Sequence, residues 1–182
     1  LIEPTACCIM AINKCKIMPG DTVAVVGAGP AGVILALLAR YRGASTVVIS
    51  DFVEYRLERA RELGVDVAVN PARESFVDAV RAESDGRGAD LVIVTAPSIQ
   101  AIKVGMEACR RGGQVMLFAP TSPEETLEIS PHKLFFNQIS LLTSYSTSHV
   151  ETRMALNMIK AGRIPAEKII THKFPLERTG EA

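Results

Sequence analysis

The sequence contains no tryptophan, and aromatic residues make up only 5% of it. Apolar weight is nevertheless high, at 48%, with a mean hydropathy of +0.21. That weight is carried by Ala, Val, Ile and Leu. Such side chains suit strands buried on both faces, as in a parallel sheet covered by helices. Net charge is absent, because 20 Lys and Arg oppose 20 Asp and Glu. With no local basic cluster either, the cationic footprint of a nucleic-acid binder is excluded. Long apolar runs are also lacking. A stretch such as Val33 to Ala39 falls far short of the ~20 residues a membrane span needs. Cys-x-x-Cys pairs are missing, so Cys7, Cys8, Cys15 and Cys109 make neither a disulfide framework nor a zinc knuckle. They read as small buried apolar residues. The chain opens Leu1-Ile2-Glu3-Pro4, with no starting Met and no basic leader. The expectation is a cytoplasmic protein and a piece of something longer.

What is present is a repeated alternation of strand, turn and helix. The 182 residues carry no repeat and no linker, and one domain over 1–182 is expected. Pro4 to Ile17 reads as a helix with Pro in its first turn, stopped by Pro19-Gly20. Thr22 to Val26 reads as a strand, Ala31 to Tyr41 as a helix and Thr46 to Ser50 as the next strand. Helix Val53 to Leu63, strand Asp66 to Val69, helix Ser75 to Ala82, strand Ala89 to Val94 and helix Ile99 to Cys109 follow. Gly112-Gly113 turns into strand Gln114 to Phe118. A Pro, Ser and Glu-rich loop runs from Pro120 to Ser130, with a short helix over Pro131 to Phe136. Ile139 to Thr143 is a sixth strand and Val150 to Ala161 a last helix. This order predicts an α/β fold: a doubly wound, parallel, six-stranded sheet with helices on both faces, of the Rossmann type.

One motif carries chemistry. Gly27-x-Gly29-x-x-Gly32, in the run Gly27-Ala28-Gly29-Pro30-Ala31-Gly32, directly follows a strand and opens a helix. Gly27 makes the tight turn, Gly29 lets backbone approach a pyrophosphate, and Gly32 lets helix and strand pack closely. The helix start offers free N–H groups and a positive dipole end to an anion. Asp51 ends the next strand, 19 residues past Gly32, where a ribose-binding carboxylate is expected. It would accept hydrogen bonds from the adenosine ribose and repel a 2′-phosphate, favouring NAD over NADP. The bland alternative is a plain glycine turn, with Asp51 capping the following helix.

With these residues the chain resembles the coenzyme-binding domain of the zinc-dependent medium-chain dehydrogenases, in their sorbitol, polyol and threonine dehydrogenase branch. The resemblance rests on Glu3-Pro4-Thr5-Ala6-Cys7, Val25-Val26-Gly27-Ala28-Gly29-Pro30-Ala31-Gly32, Arg61-Glu62-Leu63-Gly64-Val65-Asp66, Gly112-Gly113-Gln114-Val115 and Ile169-Ile170-Thr171-His172-Lys173-Phe174-Pro175-Leu176. It implies that Gly27, Gly29, Pro30, Ala31 and Gly32 cradle the cofactor and that Arg56 lies against the adenosine ribose. Leu117, Ser144 and Ser146 would hold the nicotinamide carboxamide through backbone groups, and Cys7 would line the nicotinamide. Glu3 falls where relatives place a ligand, or near-ligand, of a catalytic zinc. The other metal signatures of that family are not in these residues, and its Glu-x-x-Gly reads Thr95-Ala96-Pro97-Ser98 here.

The resemblance implies an enzyme that transfers hydride between NAD and a secondary alcohol or polyol. The 182 residues alone are expected to be inactive. A homodimer or tetramer would form through the sixth strand. A regulatory domain that senses NAD without catalysis is the alternative, since fold is not function. Residue by residue, plainer roles also stand. Glu3 could complement the helix dipole, and Arg56 could be a helix cation paired with a nearby Glu. His132, His149 and His172 show no metal spacing.

Overall fold

The computed structural model describes residues 1–181; Ala182, the last residue of the expected domain, lies outside them. The strands are β1 (Thr22–Val26), β2 (Thr46–Ser50), β3 (Val67–Val69), β4 (Ala89–Val94), β5 (Cys109–Leu117) and β6 (Ser140–Thr143). Among the described residues they form one sheet of order β3-β2-β1-β4-β5-β6. Every neighbouring pair is parallel. Parallel strands need crossovers, and helices supply them: α2 (Pro30–Tyr41), α3 (Glu54–Glu62), α4 (Phe76–Ala82), α5 (Ile99–Ala108) and α6 (Pro131–Asn137), while α1 (Ile2–Lys14) precedes the first strand and α7 (His149–Lys160) and α8 (Ala166–Ile169) follow the last. A 3₁₀ segment covers Leu176–Glu181.

Strand sequences without polar alternation follow from this layering, because both faces are covered. Every residue of β1 and of β4 is buried. On one face Val23, Val25, Val47, Ile49, Leu91 and Ile93 meet apolar residues of α1, α2 and α3. On the other, Ala24, Val26, Val48, Val92 and Val94 meet Phe76, Val77 and Val80 of α4 and Ile102 of α5. Two aliphatic cores, one per face, therefore stand where large aromatics are scarce.

The expected elements are present, with displaced ends. The first helix runs from Ile2 to Lys14 rather than Pro4 to Ile17, because Cys15 turns extended at ψ 148° and closes it. Pro19-Gly20 therefore does not stop it. The fifth strand starts at Cys109, not Gln114, and the expected turn at Gly112-Gly113 is an irregularity inside it. The β4 register jumps from Ala89 opposite Cys109 to Leu91 opposite Gln114. The helix expected to reach Cys109 accordingly stops at Ala108. Helix α8 and the 3₁₀ segment were not foreseen; both are too short for a periodic pattern.

The strand order reverses beside β1. Its chain neighbour β2 lies on one side and β4 on the other, so α2 and α5 leave on opposite faces. A crevice opens at this switch point beyond the carboxyl ends of the strands, where open α/β sheets take ligands.

Candidate cofactor site

The glycine turn joins β1 to α2, and its three glycines answer to different demands. Gly27 has a φ of +105°, which L side chains rarely adopt, and a Cβ there would meet Thr95 Oγ1 at 2.5 Å. A Cβ on Gly32 would run into the Gly27 carbonyl oxygen. Packing within the chain accounts for both. A Cβ on Gly29 would meet nothing within 4 Å. The space above Gly29 is open, and it lies at the start of a helix that has no acidic residue in its first turn and no side-chain cap. Pro30 at the first helical position has no N–H to satisfy. The N–H groups of Ala31 and Gly32 have no partner one turn back. A cradle of unpaired donors with free room over it fits a pyrophosphate.

Asp51 faces this cradle from the end of β2. Its Oδ2 accepts the Ala28 N–H at 2.9 Å and its Oδ1 the Val53 N–H at 2.9 Å. Arg56 Nη1 lies 3.3 Å from Oδ2. The carboxylate side chain is only 10% exposed. A carboxylate has about four lone-pair positions, so these three contacts leave capacity for a ribose hydroxyl. Arg56 pairs with Asp51, not with a helix glutamate.

Three hollows follow the carboxyl edge of the sheet. The largest, about 620 Å³, includes Asp51, Phe52, Phe76, Ala96, Gln100 and Val104 in its lining. Phe52 is 73% exposed beside it, an apolar plate suited to a flat heterocycle. Glu74, Asp78 and Glu107 lie on the same lining, with Arg56 the cation among them. A second hollow of about 260 Å³ reaches Gly29 and Pro30 and carries Arg56, Arg59 and Lys168. The third, about 280 Å³, brings together Glu3, Cys7, Phe118, Ser144, Tyr145 and Ser146.

In this third hollow Cys7 Sγ donates to Glu3 Oε1 at 3.1 Å. Burial, then that hydrogen bond, pushes the Cys7 thiol up to about 11, so it stays protonated and poorly nucleophilic at neutral pH. Ser144 Oγ is buried with no partner, and Ser146 holds a positive φ of 62°. Leu117 is not part of this lining; it packs with the core on the α4 and α5 face, and Phe118 takes the place instead. Among the described residues no group of three or more His, Cys, Asp and Glu could hold a metal ion. These residues alone do not fit a catalytic zinc, which takes three protein ligands and a water.

Of the residues expected from sequence, Gly27, Asp51 and Arg56 meet at the first hollow, Gly29, Pro30 and Arg56 at the second, and Glu3, Cys7, Ser144 and Ser146 at the third. Ala31 and Gly32 lie in the first turn of α2. Sequence reasoning missed Phe52, Gln100, Phe118 and Tyr145. Phe52 carried a usable signal, as a large apolar residue directly after the strand-end acid.

A glycine turn between the first strand and its helix, an acid at the end of the second strand and a crevice at the switch point define a Rossmann domain of the dinucleotide-binding kind. Residues 30–161 match the zinc-binding dehydrogenase family, and the chain belongs to it. It is similar to the sorbitol dehydrogenase of Halalkalibacterium halodurans, 32% identical over 187 residues that cover 100% of this chain and 53% of that protein. It superposes on alcohol dehydrogenase TADH from Thermus sp. ATN1 with a TM-score of 0.91 at 27% identity, over 97% of this chain and 51% of that one. A zinc-binding dehydrogenase from Sinorhizobium meliloti 1021, bound to NADP, gives 0.83 at 26% identity over 95% and 55% of the two chains. The chain thus spans about half the length of the relatives it matches.

Proposed function

We propose that these residues are the NAD-binding part of a zinc-dependent alcohol or polyol dehydrogenase, which transfers hydride between NAD and a secondary alcohol. The observation that carries this reading is the open space over Gly29, at the uncapped start of α2, with Asp51 across it. The Ala31 and Gly32 N–H groups hold the pyrophosphate. Asp51 accepts from the adenosine ribose, and Arg56, already on Asp51, lies against the same sugar. Phe52 covers the adenine. Backbone groups at Phe118, Ser144 and Ser146 hold the carboxamide, and Cys7 borders the nicotinamide as a neutral thiol. When bound, NAD supplies nicotinamide C4 as the hydride acceptor. Glu3 contributes one ligand, or a near-ligand, to a zinc held mainly by other parts of a longer protein.

The substrate class follows the sorbitol dehydrogenase relative. NAD is preferred to NADP, because the Asp51 carboxylate opposes a 2′-phosphate and its own charge offsets Arg56. The free cysteines agree with a cytoplasmic setting. Among the described residues no helix is long and apolar enough to cross a membrane. Calorimetric titration of the chain with NAD and NADP tests the cofactor. Tighter or equal NADP binding overturns the preference, and no binding of either overturns the reading. A screen of polyols with the longer protein, NAD and zinc tests the reaction.

A further inference from the structure

Thr95 directly follows β4, at the position where the glycine turn leaves the neighbouring β1. Its N–H donates to the Val26 carbonyl at 2.9 Å, extending the ladder by one residue. Its hydroxyl Oγ1 lies 2.9 Å from the same oxygen and 3.1 Å from the Gly27 carbonyl oxygen. It also fills the space that a Cβ on Gly27 would need. Gly27 C=O and Ala28 N–H belong to one peptide unit. The nitrogen end of that unit donates to Asp51 Oδ2 at 2.9 Å. The single hydroxyl proton is shared between these two oxygens, so the plane is tied at its oxygen by a shared donor and at its nitrogen by the Asp51 acceptor.

A tie is needed there. Glycine at a φ of +105° has no Cβ to bias the peptide, and opposite orientations of the following plane are sterically open to it. In the flipped orientation the carbonyl oxygen would take the place of the Ala28 N–H against the Asp51 carboxylate, and the turn leading into α2 would lose its order. Asp51 opposes the flip from the nitrogen end only, and its carboxylate also serves the Val53 N–H and Arg56.

We propose that Thr95 is a positioning residue for the dinucleotide: its hydroxyl holds the Gly27–Ala28 peptide in the orientation that aims the Ala28 N–H at Asp51 and keeps the turn in shape for the pyrophosphate. This rests on the cofactor reading above and deepens it. Thr95 touches no cofactor atom in this role, and it acts through the turn.

The test uses the whole chain with Thr95→Ser, which keeps the hydroxyl, and Thr95→Val, which keeps the shape without it. Two measurements are made: amide hydrogen exchange at Ala28 in the cofactor-free chain, and NAD affinity by calorimetry, with thermal melting as the control for fold. Expected are faster Ala28 exchange and about tenfold weaker NAD binding in Thr95→Val, with Thr95→Ser close to the parent chain. Should Thr95→Val fail to fold, Thr95→Ala carries the same comparison without added bulk. Unchanged Ala28 exchange in the folded variant overturns the proposal, as does an equal loss in the Ser and Val variants. If the parent chain does not bind NAD, the cofactor reading fails separately, and the exchange measurement still decides whether Thr95 holds the turn.

Discussion

Asp51 does two jobs at the scale of a single residue, and they pull a substitution's effect in one direction for NAD. It holds the Ala28 N–H of the glycine turn, and it lines the hollow where the ribose is proposed to sit. Asp51→Ala should weaken NAD by one or two hydrogen bonds to a charged acceptor, each about 1.5–3 kcal/mol. The same change releases Arg56 from its ion pair and removes the charge that repels a 2′-phosphate. The ratio of NAD to NADP affinity should therefore fall, and calorimetric titration of both cofactors reads it. A ratio equal to that of the parent chain would show that Asp51 does not select the cofactor. The thiols offer an independent check. Burial pushes Cys15 up to about 12 and Cys109 up to about 11, and burial with the Glu3 contact does the same for Cys7, to about 11. Cys8, the most buried, shifts in the same direction. At pH 8 such groups are thiolate to roughly a thousandth or less, against a large minority for a free thiol near 8.5. Disulfide reagents should label the folded chain far more slowly than the denatured one, with NAD slowing Cys7 further; fast labelling of the native chain would contradict the placement of these side chains. Gly27, Gly32 and Asp51 were readable in advance because a strand, a turn and a fixed interval define them along the chain. The partner of Arg56 and the role of Thr95 were not. Each depends on which strand ends lie side by side in the fold.

At the scale of elements, strand sequences with no polar alternation announced a sheet covered on both faces, and the chain follows that pattern through β1, β2 and β4. Ends were less legible. Cys15 has no helix-breaking side chain, so the early stop of α1 is invisible in composition; the bulged start of β5 depends on its register against β4. Helix α7 was anticipated, and its start shows why it holds. Ser148 caps it, Ser148 Oγ donates to a Glu151 carboxylate oxygen, and the Ser148 N–H donates to the same oxygen at 3.2 Å. The Ser148 hydroxyl, followed by backbone and Asn13 contacts, holds the Glu151 carboxyl below its ordinary value. A carboxylate with a depressed folded pKa adds stability that is complete above the unfolded value, about 4.3. That stability is lost as pH falls through the folded value. Glu151→Gln should thus melt lower than the parent chain at pH 7, and the gap should close as pH drops below about 4. Melting curves across that range check the sign, and a gap that widened on acidification would reverse the assignment. Helix α1 packs against α7, and Asn13 near its end meets the Glu151 carboxylate of this cap.

At the scale of the whole molecule, β6 ends the sheet with only β5 beside it, and its outer backbone groups are unpaired by any described strand. An open edge invites a second copy about a two-fold axis, so a homodimer with continuous sheets is expected by light scattering; a monomer at high concentration would contradict it. The last expectation separates binding from catalysis. The proposed pyrophosphate and ribose contacts lie on α2 and directly after β2, whose packing is internal to these residues, so the 182-residue chain should fold and bind NAD. Hydride transfer needs more. The alcohol must lose a proton as hydride leaves its carbon, and a metal-polarised oxygen makes that accessible near neutral pH. Among the described residues Glu3 has Cys7 beside it but no three-ligand set, and the Cys7 thiol holds its proton to about pH 11. The hollow that these two share with Tyr145 is also open to water, with Tyr145 95% exposed, whereas hydride chemistry gains from a closed site. Titration should therefore show NAD binding by the 182-residue chain. The same preparation, given zinc, NAD and a panel of polyols, should produce no NADH absorbance at 340 nm above a no-enzyme control (~340 nm being the reduced nicotinamide band). Zinc-dependent NADH formation that disappears in Glu3→Gln would show that these residues assemble a metal site by themselves, and that binding and catalysis are not divided between parts of a longer protein.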